Sequence, residues 1–271
     1  MRSNLLLEKI RAGQVVLGLG YMYPASGMIE GMCRNWDFVW IDGQHGQISY
    51  DSALHAVQAA DAMGIESVLR VPGHEFGIVG PFADLAPSAI MVPMVNNAHQ
   101  ARNVVSHLRF PPLGIRSFGG RRVIDLDGRD YYRDRELMVI AQIETLEAVE
   151  HAESIINTEG IDMLFFGPDD MKVRMDIQVD TPYTDNKLLR EAMAKVAAAA
   201  RAAGKSCGNV AATAETLRMS VDMGYQLIIG GSDAGFLRTA SARTLAELRK
   251  VIDDGPTTET ISPTTGSVYG C

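Results

Sequence analysis

Eight short apolar runs, rich in β-branched and aromatic side chains, recur along the chain at residues 15–19, 38–41, 67–71, 90–93, 138–143, 163–166, 206–210 and 227–229. Between them lie amphipathic segments of helical length, clearest at 52–63, 188–203 and 214–223. Parallel strands cannot be joined by tight turns and need long crossovers, so this alternation is that of βαβ units forming a parallel sheet. Each of the three clear helices ends at a glycine, Gly64, Gly204 or Gly224, with a strand close behind. An αβ loop uses Gly in this way because the missing Cβ tolerates a left-handed backbone at the helix C-terminus. The similar junctions form a weak structural repeat. A chain of 271 residues could hold two small domains, but single α/β barrels commonly run about 250 residues. No low-complexity linker interrupts the chain before residue 255. The expected fold is therefore a single (β/α)8 TIM barrel over residues 1–254. Residues 255–271, rich in Thr, Ser, Pro and Gly, are expected to form a tail.

Several function classes fall away on composition. With 46% hydrophobic and 21% charged residues, the chain has the profile of a folded globular protein. Its formal net charge of −8 comes without a concentrated basic face, which argues against a nucleic-acid partner. The longest apolar runs, such as residues 89–95, fall well short of the roughly 20 residues that cross a bilayer, so no membrane span is expected. Arg2, Glu8, Lys9 and Arg11 surround a brief Leu5-Leu6-Leu7 run that is too short and charged for a secretory signal, and a cytoplasmic location is the expectation. Cys33, Cys207 and Cys271 are odd in number and widely spaced, which gives neither a disulfide framework nor a zinc site. The first two are expected as buried thiols and Cys271 as an exposed residue of the tail. Gly18-Leu19-Gly20, with Asp42 downstream, has the outline of a dinucleotide fingerprint. Its third glycine is missing, with Tyr23 and Pro24 in that region, so no nicotinamide cofactor is expected.

In a parallel barrel the active site forms at the carboxyl ends of the strands, so charged residues placed directly after apolar runs are the candidates. Four runs end that way. Val39-Trp40-Ile41 leads into Asp42-Gly43-Gln44-His45, Val68-Leu69 into Arg70, Ile140-Ala141-Gln142-Ile143 into Glu144, and Leu164-Phe165-Phe166 into Gly167-Pro168-Asp169-Asp170. Glu144 and Asp170 are then carboxylates on neighbouring strand ends, able to share a hard cation such as Mg²⁺ or Mn²⁺ while leaving positions for water and substrate. Helix capping is the alternative use of either one. Arg70, between Leu69 and Val71, would be costly to bury unless it met a carboxylate, whether from a substrate or from Asp42 or Glu144. His45 lies in a Gly-flanked loop, Gly43-Gln44-His45-Gly46, where backbone can approach a ligand and imidazole can act as a base near neutral pH. His55, His99, His107 and His151 fit surface positions and His74 a loop, while Met28, Met32, Met91 and Met94 read as core filler. Lys172 reads as a protonated surface lysine rather than a Schiff-base nucleophile.

The stretches Asp37-Phe38-Val39-Trp40-Ile41-Asp42-Gly43-Gln44-His45, Val68-Leu69-Arg70-Val71-Pro72 and Met91-Val92-Pro93-Met94-Val95 are followed by Pro111-Pro112-Leu113-Gly114-Ile115-Arg116, Ala141-Gln142-Ile143-Glu144-Thr145 and Phe166-Gly167-Pro168-Asp169-Asp170. In this order and spacing the chain resembles the HpcH/HpaI family of class II pyruvate aldolases, typified by 4-hydroxy-2-oxoheptanedioate aldolase. The likeness covers everything but the tail. It implies a barrel of the phosphoenolpyruvate/pyruvate type that reversibly cleaves a 4-hydroxy-2-oxo acid to pyruvate and an aldehyde through a metal-stabilised enolate. It implies that Glu144 and Asp170 bind the metal, Mg²⁺, Mn²⁺ or Co²⁺. Gln142 and the backbone of Gly167, Pro168, Asp169 and Asp170 would hold the oxo acid, and Arg70 would stabilise the enolate. It makes His45 the base and Asp84, in Phe82-Ala83-Asp84-Leu85, the carboxylate that raises its basicity. The residues by themselves point instead to Asp42 as the partner of His45, so Asp42 stays a site candidate. The resemblance further implies a homo-oligomer, commonly a hexamer, with sites near subunit interfaces and small 2-oxo acids and aldehydes as partners.

Two positions depart from the family pattern. Gln44 stands where many relatives carry Glu, which removes a negative charge, and Asp169 replaces a small Ala or Ser. That second position lies beside the aldehyde pocket in relatives, so Asp169 should disfavour anionic aldehydes unless Arg121 or Arg122 compensates. The rival enzyme reading is an acyl-CoA lyase of the citrate lyase β or malyl-CoA type, which would need basic residues for the CoA phosphates beyond Arg121-Arg122. A catalytically silent metabolite-binding subunit is the rival from another class.

Overall fold

The computed structural model describes residues 3–254. Eight parallel strands close in sequence order into a barrel: β1 (Val16–Tyr21), β2 (Phe38–Asp42), β3 (Glu66–Arg70), β4 (Ala89–Val92), β5 (Met138–Ile143), β6 (Met163–Phe166), β7 (Ser206–Val210) and β8 (Tyr225–Ser232). The (β/α)8 architecture expected from the sequence is the one found. Helices Tyr50–Met63, Lys187–Ala202 and Ala214–Met223 begin at Ser49, Asn186 and Thr213, whose side chains each accept a first-turn N–H. Such a cap contributes about 1 kcal/mol. Gly64, Gly204 and Gly224 follow these helices with φ of 69°, 65° and 101°.

Strand ends shift from the apolar runs for identifiable reasons. β4 stops at Val92 because Pro93 has no N–H for the ladder. β3 ends on Arg70, which pairs in register with Asp42. β8 runs on through Gly230 and Gly231 to Ser232, beyond the 227–229 run, since glycines continue the ladder without an apolar side chain to mark it.

Side chains alternate across the sheet. Val39, Ile41, Leu69, Ile90, Val139 and Leu164 join the core shared with the helices, whereas Phe38, Trp40, Val68, Met91, Ile140 and Phe165 fill the barrel interior. The parity that turns Phe38 and Trp40 inward also turns Asp42 inward. Gly18 serves this packing: a Cβ there would come within 2.2 Å of the Phe38 ring. Gly18-Leu19-Gly20 therefore lies within β1 and is no phosphate-binding turn.

Helix Leu5–Arg11, which the sequence reading did not mark, sends Leu6, Leu7 and Ile10 into the interior cluster. Asn4 accepts the Leu7 N–H at 3.0 Å, while its amide donates to the carbonyls of Ser88 (2.7 Å) and Glu136 (3.0 Å). These bonds fasten the helix to the segments entering β4 and β5, so the amino end of the barrel is closed by apolar residues. The polar layer lies at the other end.

Two units are distinguished. The first ends at Ala234 and contains all eight strands; the second begins at Gly235, within helix Asp233–Asp253. The tail expected over 255–271, with Cys271, lies outside the described residues. Cys33 and Cys207 are buried free thiols, their pKa values pushed up chiefly by burial to about 11 and about 12. No helix among the described residues is long and apolar enough to cross a membrane.

Candidate active site

At the carboxyl end of β2 and β3, the sequence left a substrate carboxylate, Asp42 or Glu144 open as partners of Arg70, and in the structure Arg70 pairs with Asp42. Arg70 Nε and Nη2 donate to the two Asp42 carboxylate oxygens at 2.8 and 2.7 Å, a planar fork meeting a planar acceptor. Asp42 is fully buried and Arg70 is 6% exposed. The Trp40 ring, one inward position below Asp42, lies 4.5 Å from the guanidinium carbon. Burial alone would raise the Asp42 carboxyl. The hydrogen bonds and charge of Arg70, with the N–H groups of His45 and Gln44, outweigh it and hold the group below its ordinary value. Arg70 Nη1 is the least engaged donor, 3.4 Å from Gln142 Oε1.

The side formed by β5 and β6 is the opposite case. Gln142 Nε2 donates to Glu144 Oε2 at 2.6 Å, and the Met94 N–H donates to Glu144 Oε1 at 2.7 Å. Glu144 is 1% exposed and forms no ion pair with a cationic side chain among the described residues. Burial, then the negative charge of Asp170, push its pKa up to about 7 against the pull of Met94, Arg70 and Gln142. Gly167 fits against this pair: a Cβ there would lie 3.0 Å from Gln142 Nε2 and 3.1 Å from Glu144 Oε2. Pro168 then starts the short helix Pro168–Arg174, which carries Asp169 and Asp170 in its first turn. The donor set fits a hard divalent cation, with two oxygen-donor carboxylates near enough for one to raise the pKa of the other. Among the described residues no group of three or more His, Cys, Asp or Glu side chains is placed to hold a metal ion. Two protein carboxylates would leave coordination positions for water and a ligand.

His45 is exposed on the loop after β2. Its backbone N–H and that of Gln44 each donate to Asp42 Oδ1 at 3.1 Å. Asp42 thus meets His45 through the main chain rather than the imidazole. Gln44 Oε1 is buried without a hydrogen-bond partner. Asp84 follows helix Phe76–Ala83 and takes an ion pair from Arg116 Nη2 at 2.5 Å; no hydrogen bond joins it to His45 among the described residues. Asp169 is exposed, and its charge is met by Lys172 Nζ at 3.1 Å.

Several sequence expectations need correction here. Lys172 is a buried residue rather than a surface lysine, held between Asp169 and the Val179 carbonyl at 2.7 Å. It, not Arg121 or Arg122, offsets Asp169: Arg122 is engaged by Asp61 and the Leu85 carbonyl, and Arg121 by Asp125. Met94 is not core filler but a half-buried residue with φ of 56°, which aims its N–H at Glu144. His107 is half-buried, its Nδ1 2.9 Å from the His74 carbonyl and its ring edge-on to Phe76. The sequence reading also passed over Asp233, buried directly after β8. The rule that found Asp42 and Glu144 applies to it, but Gly230-Gly231-Ser232 separates it from its apolar run.

The model of the family described as HpcH/HpaI aldolase/citrate lyase matches residues 27–240. The chain is 33% identical over 254 residues to the hydroxypyruvate/pyruvate aldolase of Delftia acidovorans, covering 91% of this chain and 93% of that protein. It is 32% identical over 238 residues to the 4-hydroxy-2-oxovalerate aldolase of Novosphingobium aromaticivorans, covering 85% and 89%. A crystal structure of an HpcH/HpaI aldolase/citrate lyase family protein from Burkholderia cenocepacia superposes with a TM-score of 0.83 at 28% identity, covering 91% of this chain and 100% of that one.

Proposed function

The chain belongs to the HpcH/HpaI aldolase/citrate lyase family, and on that premise we propose that it is a divalent-metal-dependent aldolase cleaving a 4-hydroxy-2-oxo acid reversibly to pyruvate and an aldehyde. The observation that carries this reading is the buried Glu144, its pKa raised by burial and by Asp170, next to a guanidinium already neutralised by Asp42. Glu144 and Asp170 would hold Mg²⁺, Mn²⁺ or Co²⁺, which would supply Lewis acidity toward the oxo acid.

The other roles belong to the chain's own groups. Arg70, fixed by its fork to Asp42 and its stack on Trp40, turns Nη1 toward negative charge developing on the ketone oxygen. Gln142 and the backbone from Gly167 to Asp170 orient the oxo acid. His45 takes the proton of the 4-hydroxyl as the bond between C3 and C4 breaks. The electron pair passes to C3, the aldehyde carbonyl forms, and the enolate regains a proton to give pyruvate. Asp84 remains the carboxylate assigned to raise the basicity of His45, and assembly as a homo-oligomer, a hexamer in this reading, goes with that role. Because Lys172 offsets Asp169, repulsion of anionic aldehydes is weaker than the sequence alone implies.

The commitment of Arg122 to Asp61 and Leu85 weighs against an acyl-CoA lyase, which needs free basic groups for the CoA phosphates. The test is pyruvate release from a panel of 4-hydroxy-2-oxo acids, with and without chelator. Cleavage that is lost in chelator and restored by Mg²⁺, Mn²⁺ or Co²⁺ supports the proposal. Full activity in chelator with borohydride trapping of pyruvate overturns it. His45→Ala should lower cleavage about 10²–10⁴-fold without loss of metal affinity.

A further inference from the structure

The loop that presents His45 is fixed residue by residue through its backbone. Gly43 N–H donates to the Arg70 carbonyl at 2.9 Å and Gly46 N–H to the Asp42 carbonyl at 3.1 Å. Gln44 and His45 N–H groups donate to the Asp42 carboxylate. These acceptors all belong to β2 and β3. The last bond of the loop is different: Gln47 N–H donates at 2.8 Å to the carbonyl of Met22, in the connection that follows β1. Gly46 is packed into the same junction, since a Cβ there would lie 2.5 Å from the Asp42 carbonyl oxygen and 3.2 Å from that of Met22.

The Met22 segment is itself held by one side chain. Asp233, 1% exposed at the end of β8, accepts the Met22 N–H at 3.0 and 3.1 Å, one contact to each carboxylate oxygen. It accepts the Tyr23 N–H at 3.1 Å and the Ala234 N–H at 2.6 Å. A carboxylate is an acceptor with capacity for several N–H donors at once, and here main-chain amides fill that capacity, with no ion pair to Asp233 among the described residues. Asp233 thus grips the N–H groups on both sides of Met22, and the Met22 carbonyl, in the same peptide unit as the Tyr23 N–H, accepts from the His45 loop.

We propose that Asp233 is a positioning residue for the proposed base: it sets the height of the Met22–Tyr23 backbone, and through the Met22 carbonyl it fixes the far end of the loop carrying His45. Asp42 holds the near end. The loop is bracketed by two buried carboxylates, Asp42 at the end of β2 and Asp233 directly after β8, the two strands that flank β1. This inference rests on the reading of His45 as the base, and its test is chosen to separate the two.

Asp233→Ala and Asp233→Asn are compared with wild type by hydrogen–deuterium exchange and by aldol-cleavage kinetics. The exchange of residues 22–23 and of residues 43–48 should accelerate about tenfold or more in Asp233→Ala, as expected when buried hydrogen bonds are lost. Strands β3 and β5 should be unchanged. Asp233→Asn, which keeps one acceptor oxygen, should fall between. kcat should drop while Mn²⁺ affinity stays at the wild-type value. Adding Asp233→Ala to His45→Ala should cost nothing further, because both act on one group. Acceleration confined to residues 22–23, acceleration spread over the whole barrel, or an additive double mutant would overturn the proposal. If His45→Ala alone keeps wild-type kcat, it is the base assignment that fails, and the exchange data still decide whether Asp233 holds the loop.

Discussion

The two sides of the polar rim differ in how their charges are balanced. Across β2 and β3, Asp42 and Arg70 neutralise one another in a buried fork, with Trp40 beneath and two loop amides on the same carboxylate. Across β5 and β6, Glu144 receives an amide N–H from Gln142 and a backbone N–H from Met94 but no ion pair among the described residues, and the charge of Asp170 outweighs the pull of Arg70. A buried charge is tolerated when it is paired and hydrogen-bonded. One side meets that condition from its own residues. The other meets it only with a proton or a cation, and the pKa of about 7 at Glu144 expresses the need. On the proposed function, the cation and the oxo acid belong to the unbalanced side, and the balanced side supplies a fixed guanidinium.

Substitutions that equalise the two sides should have the largest effects. Glu144→Gln removes the excess charge and should abolish cleavage, with a loss of at least about 10²–10³-fold, the scale for removing one charge-stabilising group. The same variant in chelator should melt higher than wild type at pH 8. A variant that loses activity but melts lower would mean that Glu144 is structural.

Breaking the balanced side should act on activity and stability together. Arg70→Ala strands the buried Asp42, which typically costs about 3–5 kcal/mol, and kcat should fall about 10²–10³-fold. Arg70→Lys keeps the charge but not the fork, so it should lose nearly as much kcat while recovering part of the melting temperature. Full rescue of kcat by Lys would reduce Arg70 to a structural ion pair.

A pH effect should distinguish the sides without any mutation of the balanced one. The Glu144 carboxyl has an ordinary value of 4.5 in the unfolded chain and about 7 in the folded, metal-free protein. The folded state therefore binds the extra proton in this window. The stability this contributes is complete below 4.5 and is lost as pH rises through 7. Relative to Glu144→Gln, metal-free wild type should lose up to about 3 kcal/mol between pH 4.5 and pH 8. Parallel melting profiles for the two proteins would contradict the shift. Asp42, held below its ordinary value, has the opposite sign, and its contribution should be lost only in acid.

The smallest effect is expected at Gly167. A Cβ there would press at 3.0 Å on both Gln142 Nε2 and Glu144 Cβ, a contact that a shift of a few tenths of an ångström relieves. Gly167→Ala should raise KM for the oxo acid and lower kcat by roughly tenfold, comparable to a modest misplacement of a positioned group. Unchanged kinetics would show that this wall tolerates movement.

Much of this contrast was legible in the sequence because it follows from strand parity. Asp42, Arg70 and Glu144 stand directly after apolar runs, and a parallel barrel collects such residues at one end. Trp40 could not be read as a platform for Arg70, since an inward aromatic looks the same whether a guanidinium or a methyl group lies above it. Met94 acts through its backbone N–H, which leaves no trace in the residue type. Lys172 looked exposed between charged neighbours, yet a helical turn buries its stem and ends its ammonium on a carboxylate and a carbonyl. Asp233 was hidden by the glycines that lengthen β8.

The most direct test of the unbalanced side is Mn²⁺ binding followed by electron paramagnetic resonance in wild type, Glu144→Gln, Asp170→Asn and Arg70→Lys at pH 8. Wild type should bind one Mn²⁺ per chain, Arg70→Lys should bind it with similar affinity, and both carboxylate variants should lose it. Equal binding by all four proteins, or none by wild type, would contradict the assignment of Glu144 and Asp170 as the cation ligands.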